Sequence, residues 1–182
     1  MTATFGIRIG EAFAGDGAEA AHVNIVIGHR SELGATFALA LASPSTGHTP
    51  FVTVLKPGLP VKPLTLFVNK ATIAGDEHGN LTWGAAQAGV AVGMIDAVAG
   101  NTSLADLADD LVAIAAVWVN PQARDAAAVF ANNVASTRDA VAAAVSGGSR
   151  AADVVAERDS CHNPFFDARP LLAGQPGAGN GG

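Results

Sequence analysis

The stretch AHVNIVIG, residues 21–28, alternates apolar and polar side chains and therefore predicts a β-strand. This alternation places three branched aliphatic side chains on one face of the strand, and His22 and Asn24 on the other. An imidazole titrates near neutral pH, so a rigid strand that holds His22 beside a polar group offers a positioned proton donor or acceptor. The alternative interpretation is a solvent-exposed polar pair on a half-buried sheet.

Strand-like and helix-like patterns alternate along the rest of the chain. Such interleaving predicts an α/β (α+β) two-layer sandwich, with one mixed sheet and helices packed on it. We expect a single domain over residues 1–170 and a disordered, glycine-rich tail over residues 171–182. The predicted strands cover residues 5–13, 21–28, 50–55, 64–73 and 111–119, and the predicted helices cover residues 31–42, 83–98 and 121–145.

Local signals set several of these boundaries. Asn120 followed by Pro121 predicts the start of the last long helix, as an N-cap with proline at the first helical position. Residues 56–63 carry three prolines and predict a stiff loop. Residues 75–80 are polar and bounded by glycine, and predict a turn. The continuous apolar strand at residues 111–119 is expected to be central in the sheet.

Composition limits the partners. The net charge is −6 with 10 Lys plus Arg, which argues against nucleic acid and anionic lipid as partners. Cys161 is the sole cysteine, so one chain builds neither a disulfide nor a cysteine-based zinc site, as expected in a reducing compartment. The first residues lack the apolar core of a signal peptide, and residues 111–119 are too short to span a bilayer. We therefore expect a soluble cytoplasmic protein.

A second polar pair, Lys70 and Thr72, lies on the predicted strand that begins at residue 64, and alternation gives the two residues a common face. If this strand lies near residues 21–28, then His22, Asn24, Lys70 and Thr72 converge on one face. Lys70 comes after apolar residues, so its ammonium group can be partly desolvated and directed at a ligand. The alternative is a lysine at the end of a strand that extends into water.

Other candidate groups have simple structural explanations. Gln87 lies in an otherwise apolar helix, where its amide either bonds a neighbouring backbone group or binds a polar ligand. His78 and its acidic neighbours are consecutive residues of a turn and do not predict a metal site. Cys161 beside His162 is a poor nucleophile–base pair, because adjacent residues seldom orient in that way. Trp83 and Trp118 are interpreted as core or interface anchors.

Beyond these local patterns, the chain resembles the formaldehyde-activating enzyme family, the 5,6,7,8-tetrahydromethanopterin hydro-lyases. The resemblance extends over about residues 5–166, in conserved order and spacing. The segments that carry it are Gly10-Glu11-Ala12, Gly15-Asp16-Gly17, Ala21 to Gly28, Leu59-Pro60-Val61-Lys62-Pro63, Asn69-Lys70-Ala71-Thr72-Ile73, Gly84-Ala85-Ala86-Gln87, Asp109-Asp110-Leu111 and His162-Asn163-Pro164-Phe165.

The resemblance implies a fold, an assembly and an activity. It implies a subunit related to a domain of a ribosomal small-subunit protein, a homopentamer, and pterin bound in clefts between subunits. The implied reaction condenses formaldehyde with tetrahydromethanopterin, a co-substrate, without a metal or a covalently bound cofactor. The histidine at position 22 corresponds to the family's general acid. Its pterin contacts fall at the positions of Asn24, Val52, Lys70, Thr72 and Gln87.

Two residues depart from the family pattern. The chain has Asn24 where the family has aspartate, and Ala88 where the family has histidine. Loss of a carboxylate at position 24 removes a charge that stabilises imidazolium, so His22 is expected to hold its proton less firmly. Three alternatives to the family activity follow: a slower enzyme or one that uses another reduced pterin or folate, a paralogue that binds a pterin or aldehyde without turnover, and covalent capture of formaldehyde by the Lys70 amine.

Overall fold

The computed structural model describes residues 5–163 and 165–173. The chain divides into two compact units, Met1–Gly148 and Ser149–Gly182, and each is described by itself. From residue 174 onward, the glycine-rich tail predicted for residues 171–182 lies outside the described residues.

Strands and helices alternate in the first unit. In chain order its elements are β1 (Arg8–Ala14), β2 (Ala21–His29), α1 (Arg30–Ala42), β3 (Phe51–Val52), β4 (Val54–Lys56), β5 (Leu59–Pro60), β6 (Leu64–Asn69), α2 (Asp76–Asn80), α3 (Gln87–Ala99), α4 (Thr102–Leu107), β7 (Leu111–Trp118) and α5 (Ala126–Val145).

The main sheet is mixed and has the strand order β1-β2-β7-β6-β3. β6 and β7 run parallel, whereas the other neighbours are antiparallel. This architecture confirms the predicted α+β class and the central place of β7, and it pairs the first two strands as a hairpin. The kinship to a ribosomal-protein domain stays a prediction.

One face of the sheet is filled by hydrocarbon. The predicted apolar residues of β2, Val23, Ile25 and Ile27, are fully buried there, in the core that includes side chains of α3 and α5. Helix α5 approaches its neighbours at glycines. A Cβ placed on Gly89 of α3 would lie 2.6 Å from the carbonyl oxygen of Phe130. Such contacts pack α5 closely against α3.

The opposite face of the sheet is only partly covered. Leu33 and Phe37 of α1 pack on Leu66 of β6 and Val112 of β7. Because α1 begins directly after β2 ends, it covers the end of the sheet where Gly28 pairs with Val112. The other end of this face, where β2 begins, carries the polar residues. We call it the uncovered half of the sheet.

The long helix α5 starts later than predicted. Its N-cap is Asp125, whose carboxylate accepts hydrogen bonds from the backbone N–H groups of Ala127 and Ala128. Asn120 instead accepts from the N–H of Gln122 in a turn before the helix. The prediction of a start at Pro121 was therefore wrong, because a second capping residue downstream satisfies two helix donors.

The predicted turn at residues 75–80 is helical, which corrects that prediction. α2 continues through a π-helical stretch, Leu81–Ala86, into α3. The buried imidazole of His78 accepts from the N–H of Ala74 at Nδ1 and donates to the carbonyl of Val119 from Nε2. This tertiary bridge fixes α2 to the chain after β7, and no local sequence pattern encodes it.

Two further boundaries differ from the predictions. β6 ends at Asn69, because the Asn69 amide donates to the carbonyls of Gly47 and Ala71 and so turns the chain. The proline-rich stretch is not only a loop, since β5 pairs with β4 within it.

The continuous helix Asp76–Ala99 is long and apolar enough, by length and composition, to cross a membrane. In the protein, 44% of its most apolar window is buried, and a single helix of this kind is weak evidence for a membrane span. The predicted absence of a membrane partner stays a prediction.

The second unit contains α6 (Ala151–Ala156), β8 (His162–Asn163), β9 (Phe166–Asp167) and α7 (Arg169–Leu172). β8 and β9 form an antiparallel pair. Cys161 is exposed, and Nδ1 of His162 is bonded to the carbonyl of Ser160 rather than to the thiol.

The close packing of α5 on α3 can be tested with the substitution Gly89→Ala. The added methyl group would overlap the backbone of α5, so we expect the free energy of unfolding to fall by about 1–3 kcal/mol in urea titrations. Gly84→Ala is the matched control, because it lies in the same continuous helix and its Cβ would meet no atom within 4 Å. An unchanged stability of Gly89→Ala would contradict this account of the packing.

Candidate active site

The uncovered half of the sheet carries a cluster of polar side chains on β1 and β2. His22 and Asn24 project there from β2, as the alternation predicts. In the antiparallel register, Phe13 of β1 stands opposite His22, and Glu11 stands opposite Asn24. Directly opposed residues on neighbouring strands share a face, so the hairpin alone brings these four side chains together.

Lys70 joins this cluster from the other side of β7. Its backbone N–H donates to the carbonyl of Val117, so Lys70 continues the ladder one residue beyond β6. Since β7 separates β6 from β2, the lysine must reach across two strand spacings, roughly 10 Å. Ala116 of β7 stands level with Asn24 on one side and Val68 on the other, on the face of the sheet that the lysine crosses.

The contacts within the cluster are short. Nζ of Lys70 donates to Oδ1 of Asn24 at 2.8 Å and lies 3.0 Å from Nδ1 of His22. On the other side of the ring, Oε1 of Glu11 lies 2.9 Å from Nε2 of His22, close enough for an ion pair but not aligned as a hydrogen bond. Phe13 stacks on the imidazole, with ring centroids 3.8 Å apart. We call these five residues the His22–Lys70 cluster.

Burial sets the protonation of the cluster. It lowers the pKa of His22 below its usual 6.5, and the charge of Lys70 lowers it further, whereas Glu11 acts in the opposite direction. Burial also lowers the pKa of Lys70 to about 8, against the opposing effect of Glu11. Near neutral pH the positive charge therefore lies on Lys70.

The charge on Lys70 fixes the tautomer of His22. An ammonium group has donors and no acceptor, so Nδ1 of the ring must accept and the proton of the neutral ring lies on Nε2. The cluster thus contains a carboxylate, a neutral imidazole and an ammonium in series. Such a series can hold a proton at one end and pass it to a bound molecule.

The other predicted site residues have different surroundings. The Thr72 hydroxyl is bonded to Nε2 of His48 at 3.1 Å, because the chain has left the strand at Asn69. Gln87 donates to the carbonyl of Val54 at 2.9 Å, which is the first of its two predicted roles. Val52, on β3, contributes to the apolar cluster on the same face of the sheet as Leu66. Within one chain, the structure joins His22, Asn24 and Lys70, and places Thr72 and Gln87 against other partners.

Sequence reasoning missed Glu11 and Phe13 as parts of the site. Both lie on the first predicted strand, and alternation gives them a common face. Their register against His22 and Asn24 depends on the turn between the strands, which includes a short 3₁₀ segment, Gly17–Glu19.

Two further features concern ligands. In residues 5–163 and 165–173, no group of three His, Cys, Asp or Glu side chains is arranged to hold a metal ion. Trp83 is 46% exposed and lines, with Thr49 and Phe51, a surface cavity of about 350 Å³. The core interpretation of Trp83 was therefore wrong, and its role at an interface stays a prediction.

Comparison with known proteins identifies the family. The model of the formaldehyde-activating enzyme (Fae) family matches residues 9–166, most of the chain. The chain is also 39% identical over 158 residues to the 5,6,7,8-tetrahydromethanopterin hydro-lyase of Methanosarcina barkeri, which covers 86% of this chain and 89% of that relative. The chain belongs to the formaldehyde-activating enzyme family. The resemblance predicted from the sequence is thereby confirmed.

Other relatives in this family are longer. The chain is 38% identical over 159 residues to a bifunctional enzyme Fae/Hps of Archaeoglobus fulgidus, and 33% identical over 170 residues to one of Methanosphaera stadtmanae. These matches cover 87% and 93% of this chain but only 40% and 42% of the relatives. The chain therefore corresponds to one part of those bifunctional proteins.

The electrostatics of the cluster can be tested with Asn24→Asp. A carboxylate beside Nζ favours the charged form, so we expect the pKa of Lys70 to rise above about 8 and that of His22 to rise with it. NMR titration of the lysine side chains measures this, since the chain has only three lysines.

Asn101→Asp is the matched control for Asn24→Asp. Asn101 caps α4 through Oδ1, a role that aspartate also performs, and the substitution adds the same charge elsewhere. We expect the pKa of Lys70 to be unchanged in this variant. Equal shifts in both variants would show a general charge effect and would contradict a local ion pair.

Proposed function

We propose that this protein condenses formaldehyde with tetrahydromethanopterin, or a similar reduced pterin, to give the methylene-pterin and water. The observation that carries this proposal is the His22–Lys70 cluster, a preformed proton-transfer unit on an uncovered part of the sheet in a chain of this family. The reaction class is that of a carbon–oxygen hydro-lyase. It serves one-carbon metabolism or the removal of formaldehyde.

The chemistry requires a proton donor. An amine nitrogen of the pterin adds to formaldehyde and forms a hydroxymethyl adduct, whose hydroxyl leaves only when it is protonated. The resulting iminium carbon is attacked by the second pterin nitrogen, which closes the ring. A site that holds both nitrogens near one carbon accelerates this closure by positioning alone.

The residues of the cluster suit these steps. His22 stands at the position of the family's general acid, and here it is bonded to Lys70, so this pair supplies the proton. Asn24 and Lys70 offer polar groups to the pterin, and Val52 offers an apolar surface. In this proposal Thr72 and Gln87 also contact the pterin, which requires each to exchange the bond it makes within the chain.

We also propose a homopentamer in the cytoplasm, with the pterin in a cleft between subunits. The partial cover of the sheet within the first unit supports this assembly. α1 leaves half of one sheet face uncovered, and that half contains the cluster. A neighbouring subunit placed over it would close the site and exclude water from the iminium carbon.

A parallel assay tests the proposed function. We expect formaldehyde consumption with tetrahydromethanopterin to exceed the spontaneous reaction, and to exceed consumption with tetrahydrofolate. Preference for tetrahydrofolate would indicate an altered substrate. Tight pterin binding by calorimetry without a rate above the spontaneous one would indicate a binding paralogue, and absence of both would overturn the proposal.

His22→Ala tests the role of the cluster in this reaction. The substitution removes two things: Nδ1, which accepts the hydrogen bond of Lys70, and the imidazole ring that lies between Lys70 and Glu11. We therefore expect kcat/KM to fall by at least about 100-fold. His29→Ala is the matched control, because His29 lies at the other end of β2 and caps α1. A His22→Ala variant as active as the wild type would exclude this site.

A further inference from the structure

We propose that Nζ of Lys70, rather than a ring nitrogen of His22, delivers the proton to the departing hydroxyl, and that His22 is a positioning residue for Lys70. This inference rests on the proposed condensation and specifies its proton donor.

The surroundings of the imidazole argue against His22 as the proton donor. Nδ1 of His22 accepts the hydrogen bond of the Lys70 ammonium, so it has no proton to give while Lys70 is charged. Nε2 does carry a proton, but this atom is buried and faces the Glu11 carboxylate at 2.9 Å. One face of the ring is stacked on Phe13. Nδ1 thus has no proton to give and the proton on Nε2 is buried against Glu11, so neither ring nitrogen presents a proton to a substrate on the uncovered half of the sheet.

Lys70 has the donor that the ring lacks. An ammonium group carries three N–H bonds, and among the described residues Nζ is bonded to two acceptors, Nδ1 of His22 and Oδ1 of Asn24. One N–H is thus left for a substrate oxygen. The two bonds also fix the direction of the third, because both hold Nζ from the β2 side.

The charges around Lys70 make it a useful acid. The titratable groups of the cluster are Glu11 on β1 and His22 on β2, whereas Asn24 is neutral. His48 is occupied by the carbonyl of Asn69 and the Thr72 hydroxyl. Both acceptors of the ammonium are uncharged, and burial lowers its pKa to about 8. A donor whose pKa is close to the working pH is both populated and able to release its proton.

In this reaction Nζ of Lys70 first gives a proton and later regains one. The N–H bond of Lys70 breaks as the proton joins the hydroxyl oxygen, and the carbon–oxygen bond breaks to release water and leave the iminium. The neutral Lys70 amine still donates to Nδ1 of His22 and stays in place. The second pterin nitrogen then forms its bond to carbon and loses its proton to the Lys70 amine, which restores the ammonium. No external acid or base is consumed.

Paired lysine substitutions provide the first test. Lys70→Arg keeps the positive charge but not an acid that releases its proton, because a guanidinium does not deprotonate in proteins. We expect kcat/KM to fall by at least about 100-fold with tetrahydromethanopterin and formaldehyde. Lys62→Arg is the matched control, because Lys62 is exposed and paired with Asp109, and should retain wild-type activity. Wild-type activity of Lys70→Arg would overturn the inference.

His22→Asn separates positioning from proton donation. The Asn side-chain oxygen can accept from Nζ in place of Nδ1, yet this amide does not titrate. We expect activity to fall by less than about tenfold, and kcat/KM to keep its decline as pH rises through about 8, the pKa of Lys70. If His22→Asn loses this limb of the pH profile, or is as inactive as Lys70→Arg, His22 is the donor and the inference is wrong.

The protonation of Lys70 can also be measured without the reaction. In NMR titrations of the unliganded protein we expect Lys70, and not Lys56 or Lys62, to lose its proton near pH 8, in the wild type and in His22→Asn alike. A Lys70 pKa above 10 would overturn the inference even in an active enzyme. A wild type without activity above the spontaneous reaction would instead overturn the proposed function, so the two failures are distinguishable.

Discussion

The close packing of α5 against β1 and α3 is the constraint on which the rest of the structure depends. Gly10, Gly89 and Gly93 lie where a Cβ would overlap the backbone of α5, so the helix lies flat on its neighbours. This packing buries the apolar side chains of β2 on one face of the sheet. The polar residues of β6 on that face, Thr65 and Asn69, are buried, and the alternation of β2 places His22 and Asn24 on the other face. The position of the cluster is in this sense a consequence of how closely α5 packs.

The neutral residue at position 24 sets the electrostatic character of the cluster. A carboxylate there would pair with Lys70 and stabilise its charge, whereas the Asn24 amide accepts a hydrogen bond without doing so. The carboxylate of the cluster comes from Glu11 instead and lies on the far side of the imidazole. The negative and positive charges are thus separated by a neutral ring rather than paired. A separated pair in a partly buried site is poised to move a proton, whereas a direct ion pair would hold it.

Much of this arrangement could be predicted from local patterns, and the failures have identifiable causes. The mixed sheet, the central β7 and the meeting of His22, Asn24 and Lys70 follow from periodicity and from the length of a lysine. Glu11 was missed because its partner depends on a hairpin register that alternation alone does not specify. Thr72 was placed on the strand because the Asn69 side chain, which ends β6, bonds Gly47, a residue distant in the sequence. The start of α5 was misplaced because Asn120 and Asp125 are equally good caps by residue type.

The small side chain of Ala116 has a consequence for how this site can evolve. Lys70 reaches Asn24 across β7, and Ala116, which stands level with Asn24, presents only a methyl group beside this contact. A branched or aromatic residue at this position would crowd Asn24 and the amine bonded to it, although the strand itself would tolerate the larger side chain well. Position 116 is therefore constrained by a contact between two other residues and not by the stability of its own strand.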